Sequence, residues 1–160
     1  MNHLWSPWRM TYVENHNSND ECIFCIALTQ SDGPENLIVA REKQTYIILN
    51  RYPYTSGHLM VVPFAHQPNF ERLDSETRAE MMEMTTRCMQ VLRDIYHPQA
   101  FNMGANIGEA AGAGIADHVH IHIVPRWAGD TNFMSTLATT RVLPESLEET
   151  YNRVKKAWLK

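Results

Sequence analysis

Three histidines alternate with apolar residues in the segment His118-Val119-His120-Ile121-His122-Ile123-Val124-Pro125. In a β-strand the side chains of residues i, i+2 and i+4 point to the same face. We therefore expect three imidazoles along one face of a strand, with Val119, Ile121 and Ile123 buried on the other. Protonated neighbouring imidazoles repel each other, so stability alone explains this arrangement poorly. The pattern indicates metal binding, or nucleophilic and acid–base catalysis.

Two cysteines form the motif Cys22-Ile23-Phe24-Cys25, which is compatible with zinc ligation, a redox pair or two core cysteines. A redox pair belongs at the start of a helix in a βαβ unit, and the sequence does not indicate such a unit here. A zinc site needs two more nitrogen or sulfur ligands, for which His66 and His118 are candidates. We favour zinc. Cys88 falls on an apolar helix face and is predicted to be a core residue.

A third candidate feature is the segment 106–114, which is rich in glycine and alanine and leads into the histidines. Small residues let backbone N–H groups approach an anion closely, which favours a phosphate-binding loop, although a tight turn explains the glycines equally well. Asn50 follows an apolar run and either hydrogen-bonds a ligand or starts a turn. Its residue type and position do not decide between these two roles.

Short apolar, β-branched and aromatic runs predict the strands that would position these residues. Strands joined by short turns are normally antiparallel, and strand-to-strand links outnumber helical crossovers in this order of elements. The sequence therefore predicts an α+β fold with an antiparallel sheet of about five strands. The predicted strands are 37–40, 45–49, 58–63, 101–107 and 118–124.

Two amphipathic helices complete the predicted fold. Asp74 is predicted to cap the first, with Glu76 in its first turn, and the helix continues to about Tyr96. The second, C-terminal helix runs from Pro144 to Leu159. Apolar residues recur at three- and four-residue intervals on one face of each helix: Met81, Met84, Cys88, Val91, Leu92 and Ile95 in the first, and Leu147, Tyr151, Val154 and Trp158 in the second.

The composition is that of one ordinary soluble domain, with 160 residues, 44% hydrophobic and 20% charged. A net charge of −4 argues against binding nucleic acid over a wide surface, but it leaves room for a small phosphate-bearing ligand. No apolar run approaches the ~18 residues of a membrane span, the N-terminus does not look like a signal peptide, and three cysteines do not suggest a disulfide framework. We expect a cytoplasmic protein with no nucleic-acid or membrane partner.

The segment 118–124 resembles the signature of the histidine triad (HIT) superfamily: His, apolar, His, apolar, His, two apolars. Other segments in the family's order and spacing extend this resemblance over about residues 20–127, namely Cys22-Ile23-Phe24-Cys25, Leu49-Asn50-Arg51-Tyr52-Pro53, Gly57-His58-Leu59-Met60-Val61-Val62-Pro63 and Asn106-x-Gly108. The segments 4–9 and 125–133 resemble a branch of diadenosine tetraphosphate phosphorylases and related hydrolases. We divide the chain into an N-terminal arm (1–20), a HIT domain (21–127) and a C-terminal extension with a helix (128–160).

The resemblance implies a homodimer in which two sheets join into one, and a nucleotide whose α-phosphate lies against the histidine strand. His120 would attack that phosphorus and form a covalent nucleotidyl-histidine, while its other ring nitrogen donates to a backbone carbonyl. His122 would bind phosphate oxygens and stabilise the transition state. Asn50 would hold the ribose, and His58 would lie near the same pocket.

The resemblance also implies a metal site, because the first triad histidine is a zinc ligand in relatives that carry the cysteine pair. Such a site is closed and therefore structural, and it would hold about one zinc ion per chain with no organic cofactor. The implied ligands are Cys22, Cys25, His66 and His118.

The sequence departs from the family pattern just before the triad. Many HIT proteins have Gly-Gln-Ser or Gly-Gln-Thr there, whereas this chain has neither in residues 112–117, and the stretch from Asn106 to His118 is one residue longer. Backbone N–H groups of Gly112, Ala113 and Gly114, together with Asn106, could bind inorganic phosphate instead, which is consistent with a phosphorylase.

We therefore predict an enzyme that cleaves dinucleoside polyphosphates, with phosphate or water as the final acceptor. Hydrolysis of nucleoside phosphoramidates is one alternative, but that branch usually has the serine that is absent here. A non-catalytic nucleotide-binding or zinc-stabilised interaction protein is the second, and such a protein would not need a nucleophile at His120.

Overall fold

A five-stranded antiparallel sheet forms the centre of the fold in the computed structural model, which describes residues 22–130 and 143–160. Its strand order is β1-β2-β3-β5-β4, and every neighbouring pair is antiparallel. The strands are β1 (Ile38–Arg41), β2 (Thr45–Leu49), β3 (Leu59–Pro63), β4 (Ala100–Gly104) and β5 (Ile121–Arg126). The described helices are α1 (Ile23–Thr29), α2 (Ser75–Tyr96) and α3 (Leu147–Trp158), with 3-10 turns at Phe70–Arg72 and Glu109–Ala111.

The predicted α+β class and the antiparallel sheet are confirmed. Strand β2 has the predicted bounds, and β1 and β3 lie within one residue of theirs. Strand β4 ends at Gly104 instead of continuing to residue 107, and the predicted loop 108–114 contains the 3-10 turn. The predicted N-terminal arm (1–20) lies outside the described residues.

Strand β5 starts at Ile121, three residues later than predicted, so His118 and His120 precede the strand. The ladder with β3 cannot continue past Val61 in the usual way, because Pro63 has no N–H and its carbonyl accepts a hydrogen bond from the His118 ring (2.9 Å). The N–H of Val119 donates instead to the carbonyl of Gln67 (2.8 Å). Val119, Ile121 and Ile123 are buried as predicted, whereas the histidines lie in different surroundings: His118 contacts Cys22, and His122 contacts His58.

Helix α2 begins and ends as its sequence predicts. Asp74 accepts a hydrogen bond from the N–H of Thr77 (2.7 Å), and the helix ends at Tyr96, where His97 adopts a left-handed conformation with φ 48°. Its apolar face covers the sheet, with Met81 and Leu92 fully buried. Cys88 is also fully buried, as predicted for a core residue.

Helix α3 packs into the same core as the sheet. Tyr151, Val154 and Trp158 are buried on the predicted face. The Tyr151 hydroxyl donates to the carbonyl of Ile38 (3.2 Å), and the Lys155 ammonium donates to that of Val39 (2.6 Å). The division into a HIT domain and a C-terminal extension stays a prediction, although α3 shares one hydrophobic core with the sheet.

Helix α1 was not predicted from the sequence. It has seven residues, and its N-cap residue, Cys22, makes no capping hydrogen bond through its side chain. Its only fully buried residue is Phe24. None of the helices in residues 22–130 and 143–160 is long and apolar enough to cross a bilayer.

Candidate active site and metal site

Two thiols and two imidazoles meet where α1 approaches the start of β5. The ligand atoms of these four side chains lie within 4.8 Å of one another. The Sγ–Nδ1 distances are 3.3 Å for Cys22 and His118, 3.7 Å for Cys25 and His118, and 3.4 Å for Cys25 and His66. Tetrahedral zinc, with bonds of about 2.3 Å to sulfur and 2.0–2.1 Å to nitrogen, separates its ligand atoms by about 3.3–3.8 Å. The donor set therefore fits zinc in its chemistry, and these three sulfur–nitrogen distances fit the spacing of zinc ligands.

The second nitrogen of His118 supports this assignment. Its Nε2 lies 2.9 Å from the carbonyl oxygen of Pro63. A carbonyl oxygen only accepts, so Nε2 carries the proton and Nδ1 presents its lone pair to the thiols. Burial lowers the pKa of His118 to about 4, which keeps the ring neutral as a metal ligand must be. Metal-bound histidines usually donate their other N–H in this way.

Helix α1 places the cysteines on one side because Cys25 lies three residues after Cys22, close to one helical turn. Burial, followed by the neighbouring Cys22, raises the pKa of the Cys25 thiol, and a bound cation would oppose this rise. The pair does start a helix, which the sequence analysis missed. The strands that follow are antiparallel, so the described residues do not show the βαβ setting of a redox pair.

His120 holds a neutral ring with a defined tautomer. Its Nδ1 lies 2.9 Å from the carbonyl oxygen of His118, so Nδ1 donates and Nε2 keeps its lone pair. This is the hydrogen bond that the family resemblance implied. The residue is 5% exposed, and burial lowers its pKa. The result is an unprotonated Nε2, the form in which an imidazole acts as a nucleophile.

His122 is oriented by His58, which is 64 residues away in the chain. The N–H of Tyr54 donates to Nδ1 of His58 (3.2 Å), and Nε2 of His58 lies 3.0 Å from Nδ1 of His122. With both rings neutral, His58 donates to His122, and Nε2 of His122 is then an N–H donor. Asn50 lies beside this hydrogen-bonded pair of histidines, with its Nδ2 3.4 Å from Nδ1 of His58.

A cavity of about 360 Å³ adjoins these histidines, a volume at the lower end of the roughly 300–1,000 Å³ typical of small-ligand sites. Its walls are mostly apolar and come from α1, the end of β2 and the loop after residue 105. The residues that matter most for its chemistry are Ile23, Ile26, Leu49, Asn50, His120 and His122. His58 is fully buried behind His122 and does not line the cavity.

Asn50 shapes a turn and also lines the cavity. Its Oδ1 accepts a hydrogen bond from the N–H of Tyr52 (2.9 Å), which shapes the turn after β2. It also lines the cavity, where its amide group can reach a ligand. The turn role is therefore observed, and the ligand-binding role stays a prediction that this position allows.

The predicted phosphate loop is only partly available for an anion. The N–H of Gly112 donates to the carbonyl of Glu109 (2.8 Å), and that of Ala113 donates to Gly108 (3.3 Å), so both belong to the turn. This corrects the expectation that the N–H groups of Gly112 and Ala113 point at a phosphate. Asn106 and Gly114 do line the cavity, and Asn106 also donates to the carbonyl of Gly112 (3.5 Å).

The apolar wall formed by α1 is the part of the site that sequence reasoning missed. Ile23, Ile26 and Ala27 line the cavity at three- and four-residue spacing directly after Cys22. That spacing is a helical signal, but it spans too few residues to stand out. Phe24 borders both sites, because it lines the cavity and its ring contacts both His118 and His120.

Residues 33–129, more than half of the chain, match the HIT domain family. The chain belongs to the HIT family. This HIT protein is 36% identical to AP-4-A phosphorylase of Mycobacterium tuberculosis, in an alignment that covers 97% of this chain and 83% of the relative. That similarity supports an enzyme of the HIT type in the diadenosine tetraphosphate phosphorylase branch.

Solved structures agree with this family assignment. A Zn-bound histidine triad family protein from Mycobacterium smegmatis superposes on the HIT protein with a TM-score of 0.69 at 28% identity, covering 87% of this chain and 94% of the other. A histidine triad nucleotide-binding protein from Sulfolobus tokodaii gives a TM-score of 0.69 at 26% identity, covering 86% and 92%. The five-stranded antiparallel sheet with its helices is thus the HIT fold.

Proposed function

We propose that this HIT protein cleaves dinucleoside polyphosphates at an α-phosphate through a covalent nucleotidyl-His120 intermediate. The observation that carries the proposal is the tautomer of His120: its Nδ1 donates to the carbonyl of His118 (2.9 Å), and the ring lines the cavity of about 360 Å³. Nε2 of His120 attacks the α-phosphorus, a P–N bond forms, and the bond to the bridging oxygen breaks. With diadenosine tetraphosphate the leaving group is ATP.

The neighbouring side chains would handle the charge and the sugar. His122 donates from Nε2 to a phosphate oxygen as negative charge develops, because His58 holds its Nδ1 as an acceptor (3.0 Å). Asn50 binds the ribose from the end of β2. The apolar residues Ile23, Ile26 and Leu49 receive the base. His58 touches no substrate here and acts as a positioning residue.

In the second step an acceptor oxygen attacks the phosphorus, the P–N bond breaks and His120 returns to its starting form. Phosphate as acceptor yields ADP, and water yields AMP. We favour phosphate, because a relative that is 36% identical is a phosphorylase. Asn106 and Gly114 are the loop residues placed to bind it, since the N–H groups of Gly112 and Ala113 are committed to the turn.

Product analysis tests the reaction and its acceptor together. The protein is incubated with diadenosine tetraphosphate, with and without inorganic phosphate, and the nucleotides are separated. ADP plus ATP, formed only with phosphate, indicates phosphorolysis, whereas AMP plus ATP indicates hydrolysis. Faster cleavage of an adenylated amine than of diadenosine tetraphosphate would favour the phosphoramidate alternative.

The nucleophile is tested by His120→Asn. We expect turnover to fall by roughly 10⁴-fold or more, as when other enzymes lose a nucleophile, while AMP still binds. Brief incubation of wild-type protein with substrate should leave an acid-labile, base-stable nucleotide on the chain, which the variant lacks. His97→Asn is the matched control, because His97 is exposed and asparagine tolerates its left-handed conformation. Normal turnover by His120→Asn contradicts the mechanism.

We further propose that Cys22, Cys25, His66 and His118 hold one structural zinc ion. Four protein ligands close the site, so bound zinc supplies a fixed link between α1 and the histidine segment, not a site for substrate. The similar Zn-bound structure supports this proposal. Metal analysis of protein purified under reducing conditions should find about one zinc per chain, and Cys25→Ser should lower that value.

The homodimer is proposed from strand β4. It lies at an edge of the described sheet, and four of its five residues are exposed, including Met103 at 49%. An exposed edge strand is ready to pair with another strand, and an antiparallel β4–β4 contact would join two sheets. Light scattering should give twice the chain mass, and Asn102→Pro should lower the measured mass toward that of one chain.

A further inference from the structure

Helix α1 contributes to two sites at once. Its N-terminal cysteines belong to the proposed metal site, whereas Ile23, Ile26 and Ala27 line the cavity. Phe24 lies at the border between them and is 3% exposed. Its ring centroid is 5.4 Å from that of His118, in an edge-to-face arrangement, and 4.8 Å from that of His120. One aromatic ring therefore touches both a proposed metal ligand and the proposed nucleophile.

A second contact links the same two sites through the backbone. The ring of His118 faces the cysteines, and the carbonyl of His118 accepts the hydrogen bond that fixes the tautomer of His120 (2.9 Å). A shift of His118 would therefore move this acceptor. The metal site thus adjoins the nucleophile through the Phe24 ring on one side and through the main chain on the other.

The position of α1 depends on tertiary contacts more than on its own sequence. It has seven residues, well below the ~12–15 at which isolated helices become marginally stable. Three side chains from outside the helix donate hydrogen bonds to its backbone carbonyls: Tyr46 to Phe24 (3.0 Å), Asn36 to Ala27 (3.4 Å) and Arg41 to Leu28 (3.2 Å). Of the contacts that fix α1, those at its N-terminus would change most when a metal binds the cysteines.

We propose that Phe24 is a positioning residue that couples the metal site to the nucleotide site. Zinc held by Cys22 and Cys25 fixes helix α1. The α1 wall that receives the base and the Phe24 ring that packs against His120 are thereby held in place. This inference rests on the proposed nucleotide function. Because coupling between two ligands is reciprocal, zinc strengthens AMP binding and AMP strengthens zinc binding by the same factor.

The experiment measures that factor from both directions. Calorimetry gives the Kd of AMP for zinc-loaded protein and for protein stripped by a chelator, with circular dichroism to verify folding. Competition with a chromophoric chelator then gives the affinity of the intact zinc-loaded protein for zinc, with and without AMP. We expect a change of at least about fivefold in each, within the roughly 5–150-fold range of known couplings.

Phe24→Leu tests whether the coupling between zinc binding and AMP binding depends on the Phe24 ring. This variant keeps both cysteines, so we expect it to retain zinc, while the coupling factor falls toward one and kcat falls in the zinc-loaded protein. Phe24→Tyr keeps the aromatic ring and should restore most of the coupling. Phe101→Leu is the matched control, because Phe101 packs beneath Arg93 and belongs neither to the cavity lining nor to the four candidate metal ligands. Its coupling factor should equal that of the wild type.

The possible outcomes separate this inference from the proposed function. If zinc-loaded protein does not bind AMP, the proposed function fails first. The coupling is overturned if AMP binds and zinc affinity is the same with and without it, or if the purified protein holds no metal. If the coupling is present but Phe24→Leu leaves it intact, Phe24 is not its route. Should stripped protein unfold, the chelator competition still measures the effect of AMP on the zinc-loaded form.

Discussion

Helices α1 and α3 are built in opposite ways. Helix α3 carries a complete capping box, in which Ser146 and Glu149 bond each other's backbone N–H groups, and it buries Tyr151, Val154 and Trp158 in the core. Helix α1 has no side-chain cap on its first turn among the described residues and buries only Phe24 fully. In α3, the local sequence and the tertiary packing both favour a helix. In α1, the helix is held in place mainly by side chains of residues outside it.

The difference matters because the candidate site lies on the weaker helix. Segments with few buried apolar contacts open locally at lower free energy than the core does. The cavity wall therefore rests on an element that ligands can stabilise, while α3 maintains the scaffold. Perturbing α1 should change binding with little effect on global stability, and perturbing α3 should do the reverse.

Removal of zinc is expected to have the largest effect. For zinc at 1,000 times its Kd, binding adds about 4.1 kcal/mol to the free energy of any opening that breaks the zinc site. Opening of α1 breaks that site, whereas local opening of α3 does not. Hydrogen exchange measured by mass spectrometry should show faster exchange of α1 amides after chelation, with α3 amides unchanged.

The control is zinc added back in excess over the chelator, which should restore slow exchange in α1. Equal loss of protection in both helices would show that the metal supports the whole fold, and the contrast between the helices would then be wrong.

The contrast between α1 and α3 also determines what could be predicted from the sequence. The apolar period of α2 and α3 and the apolar, β-branched run of β2 extend over enough residues to predict these elements, although α3 begins at Leu147 and not at Pro144. Helix α1 was missed because seven residues with a cysteine at the N-cap give too weak a local signal. The pairing of His58 with His122 joins positions 64 residues apart, and local pattern cannot show it. The glycines around residue 112 indicated a loop, but composition does not say where backbone N–H groups point.

The metal cluster is the part of the site that the sequence anticipated best. The residue types offered His66 and His118 as candidates to complete the cysteine pair, the family resemblance implied the same four residues, and the structure places their ligand atoms within 4.8 Å of one another. The late start of β5 was missed because it depends on the bond between the His118 ring and the carbonyl of Pro63. Only the folded chain brings those two groups together.

The next largest effect is expected from Val154→Ala in α3. Val154 is fully buried, so loss of two methyl groups and the resulting cavity should cost about 2–3 kcal/mol. Urea denaturation should show this loss, while the folded variant binds AMP with the wild-type Kd. A weakened Kd under folding conditions would mean that α3 also shapes the site.

Ser146→Ala tests how much the N-terminal capping box of α3 contributes to stability. Its hydroxyl accepts from the N–H of Glu149 (3.2 Å), and loss of such a cap typically costs about 1 kcal/mol. Ser75→Ala is the matched control, because Ser75 is the first residue of α2 and Asp74 supplies that cap. We expect it to change stability by less than about 0.5 kcal/mol. Equal costs from the two variants would mean that the capping box contributes nothing measurable.

The loss of one hydrogen bond that holds each helix separates the two helices most directly. Tyr46→Phe removes the hydroxyl that donates to the carbonyl of Phe24 in α1 (3.0 Å), and Tyr151→Phe removes the one that joins α3 to the carbonyl of Ile38 (3.2 Å). Both tyrosines are buried, and each bond should contribute about 0.5–1.5 kcal/mol.

Because the two substitutions are chemically identical, only the helix they release differs. We expect Tyr46→Phe to raise the Kd of AMP by roughly two- to tenfold, since 1.4 kcal/mol corresponds to tenfold, and to speed hydrogen exchange in α1. Tyr151→Phe should lower the urea midpoint and leave the Kd unchanged. If both variants alter AMP binding equally, the cavity depends on the whole core and α1 has no separate role in binding.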